Sequence, residues 1–443
     1  MKLTGRKVTI MGLGRHGGGV AASRYCALAG AVVTVTDLAS ERELAESLDE
    51  LSDVPIAKFT LGRHDAADFR AAEIVVVNPA VKPTNELVEL ARQTGAQITS
   101  EIELFLEDCP ANVIGVTGTV GKSTTAAMLA GILQAACHRT WLGGNIGHSL
   151  LGDLPQMQPE DFVVLELSSF QLFWLSETAR WPRAAIVTNC TPNHLEWHGT
   201  WEHYAAAKQR LLEHLPADGW AVLNLSDLAV ADWRNSCRAS IHDFVPLDSI
   251  PPLAIPGKHN RTNAAAASAM AQALGIDESH IAKALQNFAS LPHRLQLIGE
   301  IAGRKFFNDS KSTTLASTIA ALKAMEAPTW LLLGGALRSH EQSDDFRRLV
   351  AEIVSRCRGL ALFGSAAALL EEALRTVPNR SAPTAIPNFR CETLEQALRW
   401  CWTQSRRGDT ILLSPGFPST DQFRDFQHRG GEFARLVGLL EDG

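Results

Sequence analysis

The stretch Asn112-Val113-Ile114-Gly115-Val116-Thr117-Gly118-Thr119-Val120-Gly121-Lys122-Ser123-Thr124 decides the fold of the middle of this chain. Its apolar part, Asn112–Val116, predicts a β-strand, and a helix is predicted to begin near Ser123. Between them, glycines let the backbone approach phosphate oxygens, a lysine adds positive charge and a hydroxyl can reach Mg²⁺. The longer Walker sequence has a glycine where Val116 stands, so the match is to the shorter form T-G-T-x-G-K-[ST]. The stretch predicts a phosphate-binding loop.

Length and composition limit what the rest of the chain can be. A chain of 443 residues is expected to form about three domains, and 46% hydrophobic with 20% charged residues is typical of a globular protein. A net charge of -7 gives no basic field, so a nucleic-acid partner is not expected. No apolar stretch approaches the roughly 20 residues of a membrane span, which favours a cytoplasmic protein without a membrane partner. The eight cysteines form no C-x-x-C pair, which argues against zinc and redox motifs.

Apolar strands alternate with amphipathic helices in three successive segments, which predicts an α/β protein with largely parallel sheets. The predicted domains are residues 1–100, which are Rossmann-like, residues 101–296, which contain the phosphate loop, and residues 297–443, which are again Rossmann-like. The predicted strands are Lys7–Met11, Ala31–Thr36, Glu73–Asn78, Asn112–Val116, Asp161–Leu167, Ala184–Asn189, Thr329–Leu333, Gly359–Phe363 and Thr410–Leu413. The predicted helices include Ser40–Leu51, Asn85–Thr94 and Arg261–Leu274.

Polar residues follow the strands of the middle segment. Glu166 lies at the carboxyl end of an apolar strand, where ligands of open α/β sheets bind, and a carboxylate there suits Mg²⁺. His194 and His198 follow the next strand, but H-x-x-x-H outside the helical H-E-x-x-H context is weak evidence for a transition metal, and His198 is expected at the surface. Lys208 lies on a predicted helix, where residue type alone favours a solvated side chain.

The first segment carries a motif with two interpretations. Gly12-Leu13-Gly14-Arg15-His16-Gly17 fits G-x-G-x-x-G after a strand, and Asp37 ends the second strand about 20 residues later. This pattern is typical of a nicotinamide-dependent oxidoreductase. A nucleotide sugar offers the same pyrophosphate and ribose, and the separate phosphate loop downstream favours that second interpretation.

Motifs along nearly the whole chain resemble, in the same order, those of the Mur ligases of peptidoglycan synthesis. They are Thr117–Thr124, Gly143–Gly147, Glu166–Leu172, Ala206–Lys208, Gly257–Asn263, Pro292–Arg294, Asn308–Thr313 and Asp421–Phe423. The resemblance implies a reaction in which ATP phosphorylates the L-alanyl carboxylate of UDP-N-acetylmuramoyl-L-alanine, and the amine of D-glutamate then attacks the acyl-phosphate. It also implies ATP and Mg²⁺ as cofactors, because positive charge must offset the repulsion between anionic partners.

Roles implied by the resemblance fall on matching positions of this chain. Lys122 would bind the β- and γ-phosphates, Ser123 and Glu166 would hold one Mg²⁺, and His194 would help to hold another. Lys208 matches the carbamylated lysine of the family, whose carbamate is an anionic oxygen ligand for the metal. The catalytic candidates are therefore Lys122, Glu166, His194 and Lys208.

The binding candidates fall into three groups. Those for ATP are, besides Lys122 and Ser123, Gly118, Thr119, Gly121, Thr124, Asn260, Asn263, Arg294 and Asp309. Those for the UDP-linked substrate are Gly14, Arg15, His16, Asp37, Asn78 and Asn145. Those for the amino acid are Lys311, Thr313, Arg338, Ser419 and Phe426.

Acceptor recognition departs most from the family pattern. Arg338 stands where a lysine is usual, and a guanidinium binds a carboxylate as a planar fork. Bulky Phe417 and rigid Pro418 are expected to reshape the acceptor pocket. The alternatives left open are a related ligase with another acceptor such as L-glutamate, a folylpolyglutamate synthetase-like ligase, a non-catalytic UDP-sugar-binding protein and the oxidoreductase. A monomer is expected.

Overall fold

The computed structural model describes residues 2–14, 17–337, 343–376 and 386–440. Strands and helices alternate along these residues, which confirms the predicted α/β class. The chain divides into two compact units, one made of Met1–Pro251 and Thr262–Leu285 and the other of Pro252–Arg261 and Gln286–Gly443. The first unit holds two sheets and the second holds one. The predicted domain boundaries at residues 100 and 296 remain predictions.

The first sheet has five strands, all parallel, and five helices belong to the same part of the chain. These are β1 (Lys7–Met11), α1 (Gly18–Leu28), β2 (Val32–Asp37), α2 (Ala45–Asp49), β3 (Lys58–Leu61), α3 (Ala66–Arg70), β4 (Ile74–Val77), α4 (Glu86–Gln93), β5 (Gln97–Thr99) and α5 (Glu101–Asp108). The strand order is β3-β2-β1-β4-β5. The three predicted strands are confirmed to within one residue at each end. The predicted helix Ser40–Leu51 is wrong over its first half, because Ser40 forms a turn in which its N–H and hydroxyl both bond to the Glu43 carboxylate at 2.9 Å.

The second sheet is also parallel, with the order β11-β10-β9-β6-β8-β7. Its elements are β6 (Asn112–Thr117), α6 (Lys122–Ala135), β7 (Thr140–Gly144), β8 (Phe162–Glu166), α7 (Ser169–Trp174), β9 (Ala184–Val187), α8 (Leu195–His198), α9 (Trp201–Glu213), β10 (Trp220–Leu223), α10 (Leu228–Asp232), β11 (Ser240–Asp243), α11 (Lys258–Ala273) and α12 (Glu278–Gln286). Strand β6 pairs with β8 on one side and β9 on the other. The carboxyl ends of these three strands therefore lie side by side, which places the loops that follow them at one edge of the sheet.

The third sheet is mixed, with the order β12-β13-β17-β14-β15-β16. Its elements are β12 (Gln296–Ile301), β13 (Arg304–Asn308), α13 (Leu315–Ala324), β14 (Thr329–Gly334), α14 (Ser343–Arg356), β15 (Cys357–Phe363), α15 (Ala367–Thr376), β16 (Asn388–Arg390), α16 (Leu394–Gln404), β17 (Thr410–Gly416) and α17 (Phe426–Gly438). Strand β12 runs antiparallel to β13, and the other pairs are parallel. The hairpin of β12 and β13 was missed because β12 is not an apolar run: none of its residues is fully buried.

Two further predictions concern thiols and membranes. All eight cysteines are unpaired, and four of them, Cys26, Cys109, Cys190 and Cys401, are buried. Among the described residues, no helix has the length and apolar character needed to cross a membrane.

Candidate active site

The phosphate loop connects the carboxyl end of β6 to the amino end of α6. Gly121, the residue before α6 begins, is in the left-handed conformation with φ 86°. The 14-residue helix therefore directs the N–H groups of its first turn and the positive end of its dipole toward the loop. Gly118 has φ 146° and lies so close to β9 that a Cβ on it would come within 1.9 Å of the Thr188 hydroxyl oxygen. This geometry suits the binding of phosphate and requires glycine at position 118.

Two residues at the end of β9, which sequence reasoning missed, hold the loop in place. The Asn189 side chain accepts a hydrogen bond from the Val120 N–H at 3.0 Å and donates one to the Val120 carbonyl at 2.8 Å. The Thr188 hydroxyl donates to the same carbonyl at 2.7 Å. The available signal was a pair of polar residues directly after an apolar strand. These bonds fix the backbone at the tip of the phosphate loop.

Lys122, Ser123 and Glu166 lie together where β6 and β8 end. The Lys122 ammonium donates to the Thr119 carbonyl at 3.0 Å. Glu166 is 1% exposed, and both of its oxygens accept hydrogen bonds: Oε2 from the Ser123 hydroxyl and Oε1 from the Asn145 amide at 2.9 Å. Asn145, predicted to contact the UDP-linked substrate, here bonds to the carboxylate.

Lys208 on α9 is buried behind the phosphate loop. It is 1% exposed, so the solvated side chain expected from residue type alone is wrong. Its Nζ donates to the Gly118 carbonyl at 2.8 Å and lies 4.9 Å from the centre of the Tyr204 ring. Burial, and after it the charge of Lys122, lowers the pKa of Lys208 well below its ordinary value. A lysine with a lowered pKa has more of its amine uncharged and nucleophilic.

His194 and His198 lie in the segment that follows β9. His194 precedes α8 in the left-handed conformation with φ 54°, and burial lowers its pKa. His198 is 6% exposed, so its predicted surface position is wrong. Its Nε2 lies 2.9 Å from the Ser169 hydroxyl and its Nδ1 lies 2.9 Å from His203 Nδ1. Burial lowers the pKa of His198 to about 4, which keeps the ring neutral at neutral pH.

The side-chain donors beside the phosphate loop that could hold a metal ion are oxygen atoms. Within the described ranges there is no group of three or more His, Cys, Asp or Glu side chains that could hold a metal ion. The loop instead offers the Ser123 hydroxyl beside the Glu166 carboxylate. Mg²⁺ is commonly bound by one or two oxygen side chains together with substrate phosphates and water, whereas zinc needs a set of nitrogen, sulfur or carboxylate ligands.

A cavity of about 760 Å³ opens at the carboxyl ends of the first sheet. Asp37 and Asn78 both line it. The Gly14 N–H donates to Asp37 Oδ2 at 2.9 Å, so three of the predicted substrate residues lie around one opening. The other two residues predicted from this motif, Arg15 and His16, lie outside the described residues.

Aromatic side chains connect this cavity to the region of the phosphate loop. Trp197 donates from its ring N–H to the carbonyl of Ala80, a residue that lines the cavity, at 3.1 Å. The Trp197 ring lies 4.7 Å from that of Phe170, which in turn lies 4.8 Å from the ring of His194. A continuous path of rings therefore runs from the cavity to His194 within the first unit.

Asn260 and Asn263, the predicted adenine contacts, lie near the start of α11. A Cβ built on Gly121 would come within 2.3 Å of Asn263 Oδ1, so Asn263 lies directly against the phosphate loop. Asn260 belongs to the second unit, where its amide donates to the Pro256 carbonyl at 2.6 Å. Contacts of these residues with adenine remain predictions.

Asp309 follows β13 in the second unit and is 5% exposed. Its Oδ2 accepts hydrogen bonds from the hydroxyls of Ser312 at 2.5 Å and Ser414 at 2.8 Å, and its Oδ1 accepts one from the Leu295 N–H at 3.1 Å. Burial raises the pKa of Asp309 to about 6, against the opposing effect of these hydrogen bonds and of the Arg294 charge. Arg294 and Asp309, both predicted to bind ATP, are therefore close enough to interact electrostatically.

Three of the predicted acceptor residues, Lys311, Thr313 and Ser419, lie in loops that follow strands of the third sheet, and Phe426 begins α17. The Lys311 ammonium lies 5.0 Å from the centre of the Phe426 ring, so the structure brings these two residues together. Ser419 is 4% exposed, and Thr313 is half-buried on the loop that carries Lys311. Arg338 lies outside the described residues.

Phe417, expected to reshape the acceptor pocket, packs into the core, and its effect on the pocket remains a prediction. Its side chain is fully buried in the core of the third sheet, in the same cluster as Leu315 and Leu333. The residue therefore anchors its loop, and its backbone carbonyl is the part that faces neighbouring loops.

Three family models match successive parts of the chain. Residues 6–100 match the Mur ligase MurD-like N-terminal domain, residues 116–248 the Mur ligase middle domain and residues 293–417 the Mur ligase glutamate ligase domain. A protein from Roseiflexus sp. (strain RS-1) is 36% identical, with 99% of each chain covered. One from Trichlorobacter lovleyi is 34% identical, with 99% of this chain and 100% of that one covered. The solved structure of UDP-N-acetylmuramate-alanine ligase from Thermotoga maritima has the same fold, with a TM-score of 0.63, 16% identity and coverage of 98% of this chain and 99% of that chain.

The chain belongs to the Mur ligase family, which confirms the predicted resemblance and makes it an ATP-dependent amide-forming ligase. Both bacterial relatives named above are called UDP-N-acetylmuramoylalanine–D-glutamate ligase. Nothing in these matches supports the nicotinamide-dependent oxidoreductase considered for the Gly12–Gly17 motif.

Proposed function

We propose that this protein joins D-glutamate to UDP-N-acetylmuramoyl-L-alanine with ATP and Mg²⁺. The γ-phosphoryl group passes from ATP to the L-alanyl carboxylate, giving ADP and an acyl-phosphate. The amine of D-glutamate then attacks the acyl carbon, the C–N bond forms, and phosphate leaves with its bonding electron pair. The observation that carries the proposal is the arrangement of the phosphate loop, the buried Ser123–Glu166 pair and the buried Lys208 in a chain with two full-length relatives of that name.

The phosphate loop supplies the positive field that the first step needs. The N-terminus of α6 and the Lys122 ammonium would bind the β- and γ-phosphates. Preorganised donors of this kind stabilise the charge that develops during transfer without reorganising at the moment of reaction. The bonds from Asn189 to Val120 support this role because they hold the loop in one conformation.

Mg²⁺ would be held by Ser123 and Glu166 together with phosphate oxygens. The hydroxyl and the carboxylate are already in contact, and hard oxygen donors are the ligands this ion prefers. When bound, the ion supplies charge that neutralises the phosphoryl oxygens and the approaching carboxylate. His194, on the loop that follows β9, is the proposed ligand on the side of the UDP-linked substrate.

Lys208 is proposed to act as a carbamate. Its lowered pKa favours the neutral amine that attacks CO₂, forming an N–C bond and releasing one proton. The resulting group is anionic and presents two oxygens beside the phosphate loop, where an ammonium would repel a cation.

The UDP-linked substrate is proposed to occupy the cavity lined by Asp37 and Asn78. Its volume of about 760 Å³ is within the usual range of roughly 300–1,000 Å³ for small-molecule sites. The path of rings from Trp197 to His194 gives the direction in which the lactyl-alanine end would extend toward the phosphate loop. We propose residues 1–100, 101–296 and 297–443 as the domains that bind the UDP-linked substrate, ATP and the amino acid, respectively. A cytoplasmic location is part of the proposal and is supported by the use of ATP, and a monomer remains the prediction.

The direct test is phosphate release with UDP-N-acetylmuramoyl-L-alanine, ATP and Mg²⁺ against a panel of D- and L-amino acids. D-Glutamate is expected to stimulate release most, and omission of the UDP-linked substrate or chelation of Mg²⁺ is expected to abolish it. Stimulation by L-glutamate instead would identify a related ligase with another acceptor. If no amino acid stimulates release, the proposed function is wrong.

A further inference from the structure

Arg429, on the first turn of α17, is fully buried, at 0% exposed, and has no role in the proposed reaction. A buried guanidinium is costly unless its N–H groups find acceptors. Nε donates to the Ser310 hydroxyl at 3.0 Å, Nη2 to the Ser310 carbonyl at 2.8 Å, and Nη1 to the Phe417 carbonyl at 3.0 Å. One side chain therefore ties the loop after β13 to the loop after β17.

These two loops carry the candidate residues for the acceptor amino acid. Ser310 directly precedes Lys311, and Phe417 is two residues before Ser419. Strands β13 and β17 are parallel neighbours, so their loops leave the sheet side by side at the same edge. The guanidinium therefore bonds to the residue next to Lys311 and to the residue two positions before Ser419.

A third loop joins the same cluster. The Ala336 N–H, in the loop after β14, donates to the Pro418 carbonyl at 2.8 Å. Pro418 directly follows Phe417, whose carbonyl is the one held by Arg429. Loops from three adjacent strands, β13, β17 and β14, are therefore connected through one peptide segment.

The contacts of Arg429 do more than fill the core. The buried Phe417 side chain already holds its loop against the core. The hydrogen bond from the guanidinium to the Phe417 carbonyl therefore fixes the orientation of that peptide group. Burial lowers the pKa of Arg429 to about 10, against an opposing effect of Asp421, and the group stays positive at neutral pH. Its charge strengthens the hydrogen bonds that it donates to the Ser310 and Phe417 carbonyls, because bonds from an ionised donor are stronger than those from a neutral one.

We infer that Arg429 is a positioning residue for a dicarboxylic amino acid acceptor, which it serves by fixing the loops of Lys311 and Ser419 in register. The inference rests on the proposed function. It assigns Arg429 to acceptor binding alone and gives it no part in binding ATP.

The test compares Arg429→Gln and Arg429→Lys with wild type and with Arg435→Gln. Arg435 lies on the same helix, is exposed and pairs with Glu432 at 2.7 Å, so its variant controls for a changed arginine in α17. Loss of charge-assisted hydrogen bonds is expected to raise the KM for D-glutamate at least about tenfold in both Arg429 variants. The KM for ATP is expected to stay within about twofold of wild type, as are all constants of Arg435→Gln. Guanidinium ion added to Arg429→Gly is expected to lower the raised acceptor KM.

The outcomes separate positioning from a purely structural role. Equal rises in the KM for ATP and for D-glutamate, without rescue by guanidinium, would overturn the inference, as would an unchanged acceptor KM. If the Arg429 variants do not fold, Ser310→Ala removes the Nε acceptor, together with the hydrogen bond of 2.8 Å that the same hydroxyl donates to the Phe426 carbonyl. It is expected to raise the acceptor KM selectively, by about threefold or more. An unchanged KM in Ser310→Ala would then overturn it. If wild type releases no phosphate with any amino acid, the proposed function is wrong as well. If wild type turns over and the variants have the wild-type KM for D-glutamate, only this inference is wrong.

Discussion

The phosphate loop depends on Asn189, and Asn189→Ala measures that dependence. The side chain makes two hydrogen bonds to the backbone of Val120, at 3.0 Å and 2.8 Å. Each is worth about 1 kcal/mol net, so releasing the loop tip removes about 2 kcal/mol from the phosphate-binding conformation. We expect the KM for ATP to rise about 30-fold, measured by steady-state phosphate release. Asn189→Asp is expected to be worse, because a carboxylate cannot donate to the Val120 carbonyl and adds negative charge beside the phosphates.

The control is Asn112→Ala at the opposite end of β6. Asn112 also uses its amide to bond backbone carbonyls, those of Pro159 at 2.9 Å and Asp161 at 3.3 Å, but it lies far along the strand from the loop. The Asn112→Ala variant is expected to have a modestly lower melting temperature and an unchanged KM for ATP. The reasoning is refuted if Asn189→Ala binds ATP as wild type does, or if Asn112→Ala raises the KM equally.

Three further predictions use the same preparation. Lys122→Ala removes the point charge of the loop and is expected to abolish ATP-dependent phosphate release; near-normal turnover would contradict its role. Lys208→Ala is expected to lose activity that short carboxylic acids restore in part, because they can occupy the place of the carbamate, whereas full activity without them would exclude carbamylation. Asp309 has a raised pKa, so the folded protein holds this proton more tightly than the unfolded chain does. The carboxyl group therefore stabilises the fold at low pH, and the free energy of unfolding falls as pH rises from 3.8 to about 6. The melting temperature of wild type relative to Asp309→Asn is therefore expected to fall across that range, and a constant difference from pH 4 to pH 7 would show that Asp309 does not titrate there.

The strands that were predicted from apolar runs are mostly those with buried residues along nearly their whole length, such as β4, β9 and β14. Exposed or half-buried strands such as β3, β11 and β16 were missed. The predicted strand Lys7–Met11 is found with the same bounds, and Asn112–Val116 is extended by one residue. Runs of this kind carry their own signal, since every residue after the first is buried. Strand β12 gave no such signal, because its exposed edge position leaves an irregular pattern that includes Gly299.

The candidate site was predictable in its residue types but not in its burial. Lys208 and His198 both have side chains that usually face solvent, and nothing in the local pattern shows that the phosphate loop and Ser169 lie over them. Asn189 and Arg429 were missed for a related reason. Each acts on the backbone of a loop distant in the sequence, by 69 residues from Val120 and by 119 residues from Ser310, so the partners meet only in the folded chain.

The central claim is that ATP activates the L-alanyl carboxylate at the phosphate loop. The most direct measurement uses UDP-N-acetylmuramoyl-L-alanine labelled with ¹⁸O in that carboxylate and follows the isotope during turnover with D-glutamate. An acyl-phosphate carries one carboxylate oxygen into the bond that breaks, so the account predicts one labelled oxygen in each phosphate released. Unlabelled phosphate accompanying amide formation would contradict it.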